Sequence, residues 1–230
     1  LLDTVLASLL PNGSVSWLYY SDRLAELPLG VFAIAISTVI LPNLSRQHAG
    51  SDGAEFSRTL DWALRLIVLI GVPAGLALIV LAEPILITLF QYGEMNSSDI
   101  AMSTLSLRAY ASGLLAFMLI KVLAPGYYAR QDMKTPVKIG VIAMVANMLL
   151  NVIFVAPLYF YFDIGHVGLA LATAASAYIN AFLLYRGLRQ KNIFKPENGW
   201  GVWITRCACA NGLMLLVLLL FLANLEGWGD

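Results

Sequence analysis

Six stretches of the chain, roughly residues 14–42, 60–82, 98–123, 136–156, 164–188 and 201–223, are each apolar over about the 20 residues that a bilayer crossing requires. A seventh, residues 1–10, reads as the end of a further span, stopped by Pro11-Asn12-Gly13. Composition agrees, with 60% of the 230 residues hydrophobic and 12% charged, against about 25% charged in a soluble domain. An ordinary soluble globule and any disordered or fibrous class are excluded. The expectation is an all-α, polytopic transmembrane helix bundle. The chain opens on Leu1-Leu2, with neither Met nor the basic start of a signal peptide, and so reads as a piece of a longer membrane protein.

Charge sorts the connections. Alternate ones carry Arg46 and Arg58; Arg130, Lys134 and Lys138; and Arg186, Arg189, Lys191 and Lys195. The intervening ones, around Asn12, Asn96 and Asp163, and the tail Leu225 to Asp230, carry no Lys or Arg. Basic loops stay cytoplasmic, so residues 1–10 point outward and the chain ends outside. Trp17, Tyr19, Tyr20, Tyr159, Tyr161 and Trp228 then fall near the outer boundary, where amphipathic rings settle. Lys and Arg only balance Asp and Glu, 14 against 14, which leaves no basic excess for nucleic acid. Two polar or short segments, Asn43 to Arg58 and Glu83 to Tyr92, are candidates for interfacial helices or plain connectors.

The segment Ser16-Trp-Leu-Tyr-Tyr-Ser-Asp-Arg-Leu-Ala-Glu-Leu-Pro-Leu-Gly30 places charge where lipid should be. Arg23 lies roughly 14 Å into a helix rising 1.5 Å per residue, near the middle of a core about 30 Å thick. A charged side chain at mid-helix costs about 2.5 to 3.5 kcal/mol to insert, so Asp22, Arg23 and Glu26 must line protein or water. At about 100° per residue they share one face with Tyr19 and Gly30. Two carboxylates flanking Arg23 would hold the guanidinium and leave part of its donor fork free. Pro28 should bend the helix beside them. The site is either a structural ion-pair cluster or, as intramembrane charge usually indicates, an anion site in a hydrated cavity.

Other polar positions are less specific. Asp61 and Arg65, four residues apart, read as a local ion pair. Arg108, again at mid-depth, is a candidate second cavity charge. Asn147 and Asn151 lie one turn apart, Thr173, Ser176 and Asn180 share a face of the next span, and Asp3 sits in the first. Such groups serve as interhelical hydrogen-bond glue, and Asp3, Asn147, Asn151 and Thr173 also supply hard oxygens suited to a monovalent cation. Gly71-Val-Pro-Ala-Gly75 and Ala124-Pro-Gly126 interrupt their spans as hinges or static kinks. Gly168, Ala172 and Ala175 allow close helix contact. Cys207 and Cys209, two positions apart, are read as small packing residues.

Residues 16–30, with Leu123-Ala-Pro-Gly-Tyr-Tyr-Ala-Arg-Gln-Asp-Met-Lys-Thr-Pro-Val-Lys138 and, more weakly, Leu86-Ile-Thr-Leu-Phe-Gln-Tyr-Gly93, resemble the signature stretches of the MurJ (MviN) family of bacterial lipid II flippases. The resemblance implies the second lobe of a MOP-type transporter, whose members have two six-helix lobes followed by two further helices. It divides the chain into 1–188, the second-lobe helices from a partial helix seven to helix twelve, and 189–230, a cytoplasmic linker and the additional helix thirteen. It implies residence in the bacterial inner membrane and transport of undecaprenyl-pyrophosphoryl-linked muropeptide, lipid II, from the cytoplasmic to the periplasmic leaflet by alternating access. Arg23 matches the family's cavity arginine, with Asp22 and Glu26 its acidic neighbours, and Asp3, Asn147, Asn151 and Thr173 correspond by approximate position to a cation-coordinating set. Partners implied are lipid II, membrane lipids and the first lobe of the same protein; no cofactor is implied beyond a monovalent cation. A cation-coupled exporter of small molecules would also use buried charges. An enzyme acting on polyprenyl phosphates would need an acidic or His cluster at an aqueous surface, which the loops lack.

Overall fold

Each apolar stretch becomes a helix because hydrocarbon offers no other partner for backbone N–H and C=O groups. The computed structural model describes residues 2–11, 13–50, 52–92 and 95–223, with the side chains of residues 2–4 outside the description. Helix α1 covers Leu2–Ser8, α2 Ser14–Pro28, α3 Ile34–Ala49, α4 Gly53–Phe90, α5 Ser97–Tyr128, α6 Lys134–Phe162, α7 Gly165–Gln190 and α8 Trp200–Ala223. A π-helical turn, Leu29–Ala33, joins α2 to α3 without a break. Six helical stretches are long and apolar enough to cross a membrane, matching the six full spans read from hydropathy. The tail with Trp228 lies outside the described residues.

The helices run further than hydropathy suggests. Neither segment read as an interfacial helix or connector is a separate element: α3 continues to Ala49, α4 starts at Gly53, and residues 83–90 are its last turns. Leu44, Phe56 and Leu86 are buried, so burial of one face extends the helices past their apolar centres. The Asp52 side chain caps α4 by accepting the Glu55 N–H at 2.9 Å. Neither expected interruption ends its helix, since Pro73 and Pro125 lie inside continuous α4 and α5. Gly71 and Gly75 instead bring α4 against α5, where an added Cβ would meet Met118 Sδ at 3.0 Å and the Ala111 carbonyl at 3.2 Å. The segment read as a hinge or a static kink thus also carries a close helix contact.

Helix α5 is the hub, packed by α2, α4 and α7, while α6 lies mainly along α7. The α5–α7 crossing depends on Gly113, where a Cβ would fall 2.7 Å from that of Ala174, and the α6–α7 crossing on Gly168, where it would fall 2.9 Å from the Val155 backbone. Gly168 and Ala172 are buried, in keeping with the small-residue stripe. Backbone contact of α8 is with α4 alone among the described elements. Cys209 on α8 is exposed and Cys207 half-buried, and both are free thiols.

Contacts confirm that the two kinds of connection occupy opposite ends. At the basic end, Ser57 donates to the Lys195 carbonyl, Gln47 to Thr59, and Lys191 to Asp132. At the other, Trp17 meets Asp99 and His166, and Tyr20 packs on Phe90. Each end has its own apolar cluster, one around Leu44, Leu60, Leu123 and Tyr127, the other around Leu18, Leu86, Leu107 and Leu169.

Candidate functional site

Helix α2 carries two stripes at helical spacing. Ser14, Leu18, Ser21 and Ala25 are buried, and Ser21 Oγ donates to the Ser103 carbonyl of α5 at 2.8 Å. Tyr19, Arg23, Glu26 and Gly30 repeat the same spacing five positions on, about 140° around the helix, and all four are exposed. Docking α2 on α5 through small hydroxyl residues therefore turns the charged stripe away from the bundle. Beyond Gly30 nothing lies within 4 Å of where a Cβ would stand.

Arg23 is pre-oriented but not consumed. Its Nη1 donates to Glu26 Oε2 at 2.8 Å, and its Cζ lies 5.1 Å from the centre of the Tyr19 ring. Its side chain is 58% exposed, and it is hydrogen-bonded to Tyr19 as well as to Glu26, which leaves the rest of its donor fork open. The expected grip by two carboxylates is therefore a grip by one: Glu26, a turn ahead, pairs with Arg23, while the half-buried Asp22 does not. Adjacent residues on a helix diverge by about 100°, whereas residues three apart meet. A guanidinium has five donors in a planar fork, so this arrangement leaves enough for a phosphate-type anion. Pro28 has no N–H for the Leu24 carbonyl, and the chain passes from it directly into the π turn, where Ile34 N–H reaches back to the Leu29 carbonyl.

The structure does not gather every candidate here. Arg108 is exposed on α5, and its Nε donates to the Ile79 carbonyl of α4 at 3.2 Å; no described contact joins it to Arg23. Asn147, Asn151 and Thr173 do come together: Asn151 Nδ2 donates to Asn147 Oδ1 at 3.2 Å, and Asn147 Nδ2 to Thr173 Oγ1 at 3.4 Å. Thr173 Oγ1 in turn donates to the Leu169 carbonyl at 3.0 Å. These bonds link α6 to α7 as interhelical glue does, and a side-chain oxygen with two lone pairs can accept such a bond and still face a cation. The Asp3 side chain, the one carboxylate of that set, lies outside the described side chains.

One feature reaches well beyond its sequence reading. The Asp61–Arg65 pair exists, Nε to Oδ2 at 2.7 Å, but Asp61 is 2% exposed and is not a merely local partner. Its Oδ1 accepts Trp200 Nε1 at 2.7 Å and the Glu197 N–H at 3.2 Å, while Arg65 donates to the Asn198 carbonyl and lies 5.0 Å from the Trp200 ring. Asp61 thereby ties α4 to the start of α8. A second tie at the same end joins Lys191 Nζ to Asp132 Oδ2 at 2.7 Å. The Lys191 bond and two from Thr135 hold the Asp132 carboxyl down at about 2.

The family model for "Lipid II flippase MurJ" matches residues 1–229. A Vibrio cholerae protein named "Probable lipid II flippase MurJ" is 51% identical over 228 residues, covering 99% of this chain and 42% of that protein. The "Lipid II flippase MurJ" of Burkholderia cenocepacia is 43% identical over 200 residues, covering 87% of this chain and 38% of that one. A solved structure titled "Lipid II flippase MurJ, inward closed conformation" superposes with a TM-score of 0.80 at 28% identity, over 95% of this chain and 43% of that chain. The chain thus spans about two fifths of the length of the relatives it matches. With its whole length aligned to them and its helices arranged as in the solved structure, this multi-pass membrane chain belongs to the lipid II flippase MurJ family.

Proposed function

We propose that this chain is the second-lobe segment of a lipid II flippase of the bacterial inner membrane, and that Arg23 grips the pyrophosphate of the undecaprenyl-linked muropeptide on its way from the cytoplasmic to the periplasmic leaflet. The observation that carries this is a mid-helix arginine held by Glu26 and Tyr19 with most of its donors open. A charge at that depth cannot face lipid without a cost of about 2.5 to 3.5 kcal/mol. Its exposed stripe therefore faces water or the first lobe, which the missing part of the relatives' length would supply. A bidentate, charge-assisted contact suits a diphosphate better than the point charge of Lys. One such contact is also weak enough to be released at the far side. Glu26 would tune that grip by competing for the same donors.

In the full-length protein, Arg23→Ala should abolish complementation of a flippase-depleted strain and Arg23→Lys should leave it severely impaired. Wild-type growth and cell-wall synthesis in both would overturn the reading. The hydrogen-bonded Asn147, Asn151 and Thr173 support a second element, a monovalent cation held between α6 and α7 with Asp3 as the charged ligand. Transport that depends on sodium in the wild type and not in Asp3→Asn would support it, and transport indifferent to sodium would remove it.

A further inference from the structure

At the outer end of the bundle, a cavity of 310 Å³ opens between the starts of α2 and α5 and the end of α4. Trp17, Tyr20, Phe90, Tyr92, Ser16 and Asp99 are among the residues that line it. Its volume is at the lower end of the range of ligand sites, about 300 to 1,000 Å³.

The walls are fixed in advance. Trp17 Nε1 donates to Asp99 Oδ1 at 2.9 Å, and the indole packs on His166 with ring centres 4.9 Å apart. Gly13, at φ 102°, brings its backbone so close that a Cβ would lie 2.7 Å from the Trp17 ring. Tyr20 packs on Phe90 at 4.8 Å, and the Tyr92 hydroxyl donates to the Thr88 carbonyl at 3.1 Å. The second Asp99 oxygen accepts the Asn96 N–H at 3.1 Å. A ligand entering here would order little that is not already ordered, which lowers the cost of binding. Of these rings, Trp17 is bonded to a carboxylate and Tyr20 is packed on Phe90.

The lining selects a class of ligand. Among the described residues no Lys or Arg borders the cavity and Asp99 does, which disfavours an anion. The Ser16 and Tyr20 hydroxyls are not engaged by other described residues, and a carboxylate keeps further acceptor capacity beyond two bonds. Flat π faces beside hydroxyls and a carboxylate match a sugar ring, whose C–H faces stack on aromatics while its hydroxyl and amide N–H groups donate. We propose that this cavity is an outer-face docking site for a saccharide ring, supplied by the muropeptide headgroup as it leaves the transport path. The proposal rests on the flippase reading for its source of ligand, though not for its chemistry.

The test uses the full-length protein in nanodiscs, with soluble N,N′-diacetylchitobiose as probe and saturation-transfer NMR together with Trp fluorescence as readouts. Saturable binding is expected in the wild type and in Arg23→Ala. It should weaken about tenfold or more in Tyr92→Ala, which deletes an exposed wall, and in Asp99→Asn. Trp17→Phe, which keeps a ring and loses the N–H to Asp99, gives a third variant should Asp99→Asn fail to fold. No saturation in the wild type, or equal binding in Tyr92→Ala, overturns the site. Adding lipid II to the nanodiscs should displace the disaccharide from the wild type; failure to displace overturns the headgroup as its source. Loss of flipping in Arg23→Ala alongside intact disaccharide binding would separate the two readings, and normal flipping there would sink the arginine role while leaving the cavity result standing.

Discussion

Asp61 offers the sharpest test of how the two ends of this chain are joined. Read as a local i, i+4 pair it should tolerate Asn; the structure requires otherwise. Asp61→Ala removes the acceptor for Arg65 Nε, Trp200 Nε1 and the Glu197 N–H together. Breaking a buried ion pair costs about 3–5 kcal/mol. The Arg65 side chain is 24% exposed and keeps its bond to the Asn198 carbonyl, so the lower end applies. The sum is about 3 kcal/mol. Asp61→Asn keeps one oxygen; turned toward Trp200 and Glu197, it sets an amide N–H against Arg65, at a cost of about 2 kcal/mol. The loss is local, because residues 191–199 lead into α8 and, among the described elements, the backbone of α8 meets that of α4 alone. Hydrogen exchange of that linker in the full-length protein should therefore quicken about a hundredfold in Asp61→Ala, with a red shift of Trp200 emission and little change in α5. The double variant Asp61→Ala, Arg65→Met should recover part of the loss, since it leaves no uncompensated charge. Linker exchange within about threefold of wild type in Asp61→Ala would refute the argument.

Gly113→Ala should lower the thermal stability of the full-length protein by about 1–3 kcal/mol, because the new methyl falls on Ala174 and forces α5 from α7. Gly30→Ala, with open space around it, should leave stability unchanged or raise it by about 0.5–1 kcal/mol, so equal losses in the two would contradict the packing account. The Asp132–Lys191 tie predicts a pH dependence. The Asp132 carboxyl titrates at about 2 in the folded chain against an ordinary 3.8, so its contribution is present above 3.8 and is lost as pH falls toward 2. The stability difference between wild type and Asp132→Asn should shrink across that window, and a difference independent of pH from 5 to 2 would exclude the pairing. The exposed location limits the effect to about 1 kcal/mol.

Part of this was legible in the chain alone. Hydropathy and the alternation of basic loops depend on short-range composition and on the energy of moving single residues into hydrocarbon, so the span count, the sorting of the connections to two ends and the mid-helix charges around Arg23 could be read directly. Helical periodicity likewise put Tyr19, Arg23, Glu26 and Gly30 on one stripe. Tertiary structure decided which stripe faces out, because that follows from Ser21 docking on the Ser103 carbonyl 82 residues away. It also chose Glu26 over Asp22 as the arginine's partner, and set Gly71 and Gly75 at a close helix contact. The Asp61 hub and the outer aromatic cavity left no periodic signal. Their partners lie up to 139 residues apart, and sequence spacing carries information only over the few turns in which residues share a helix.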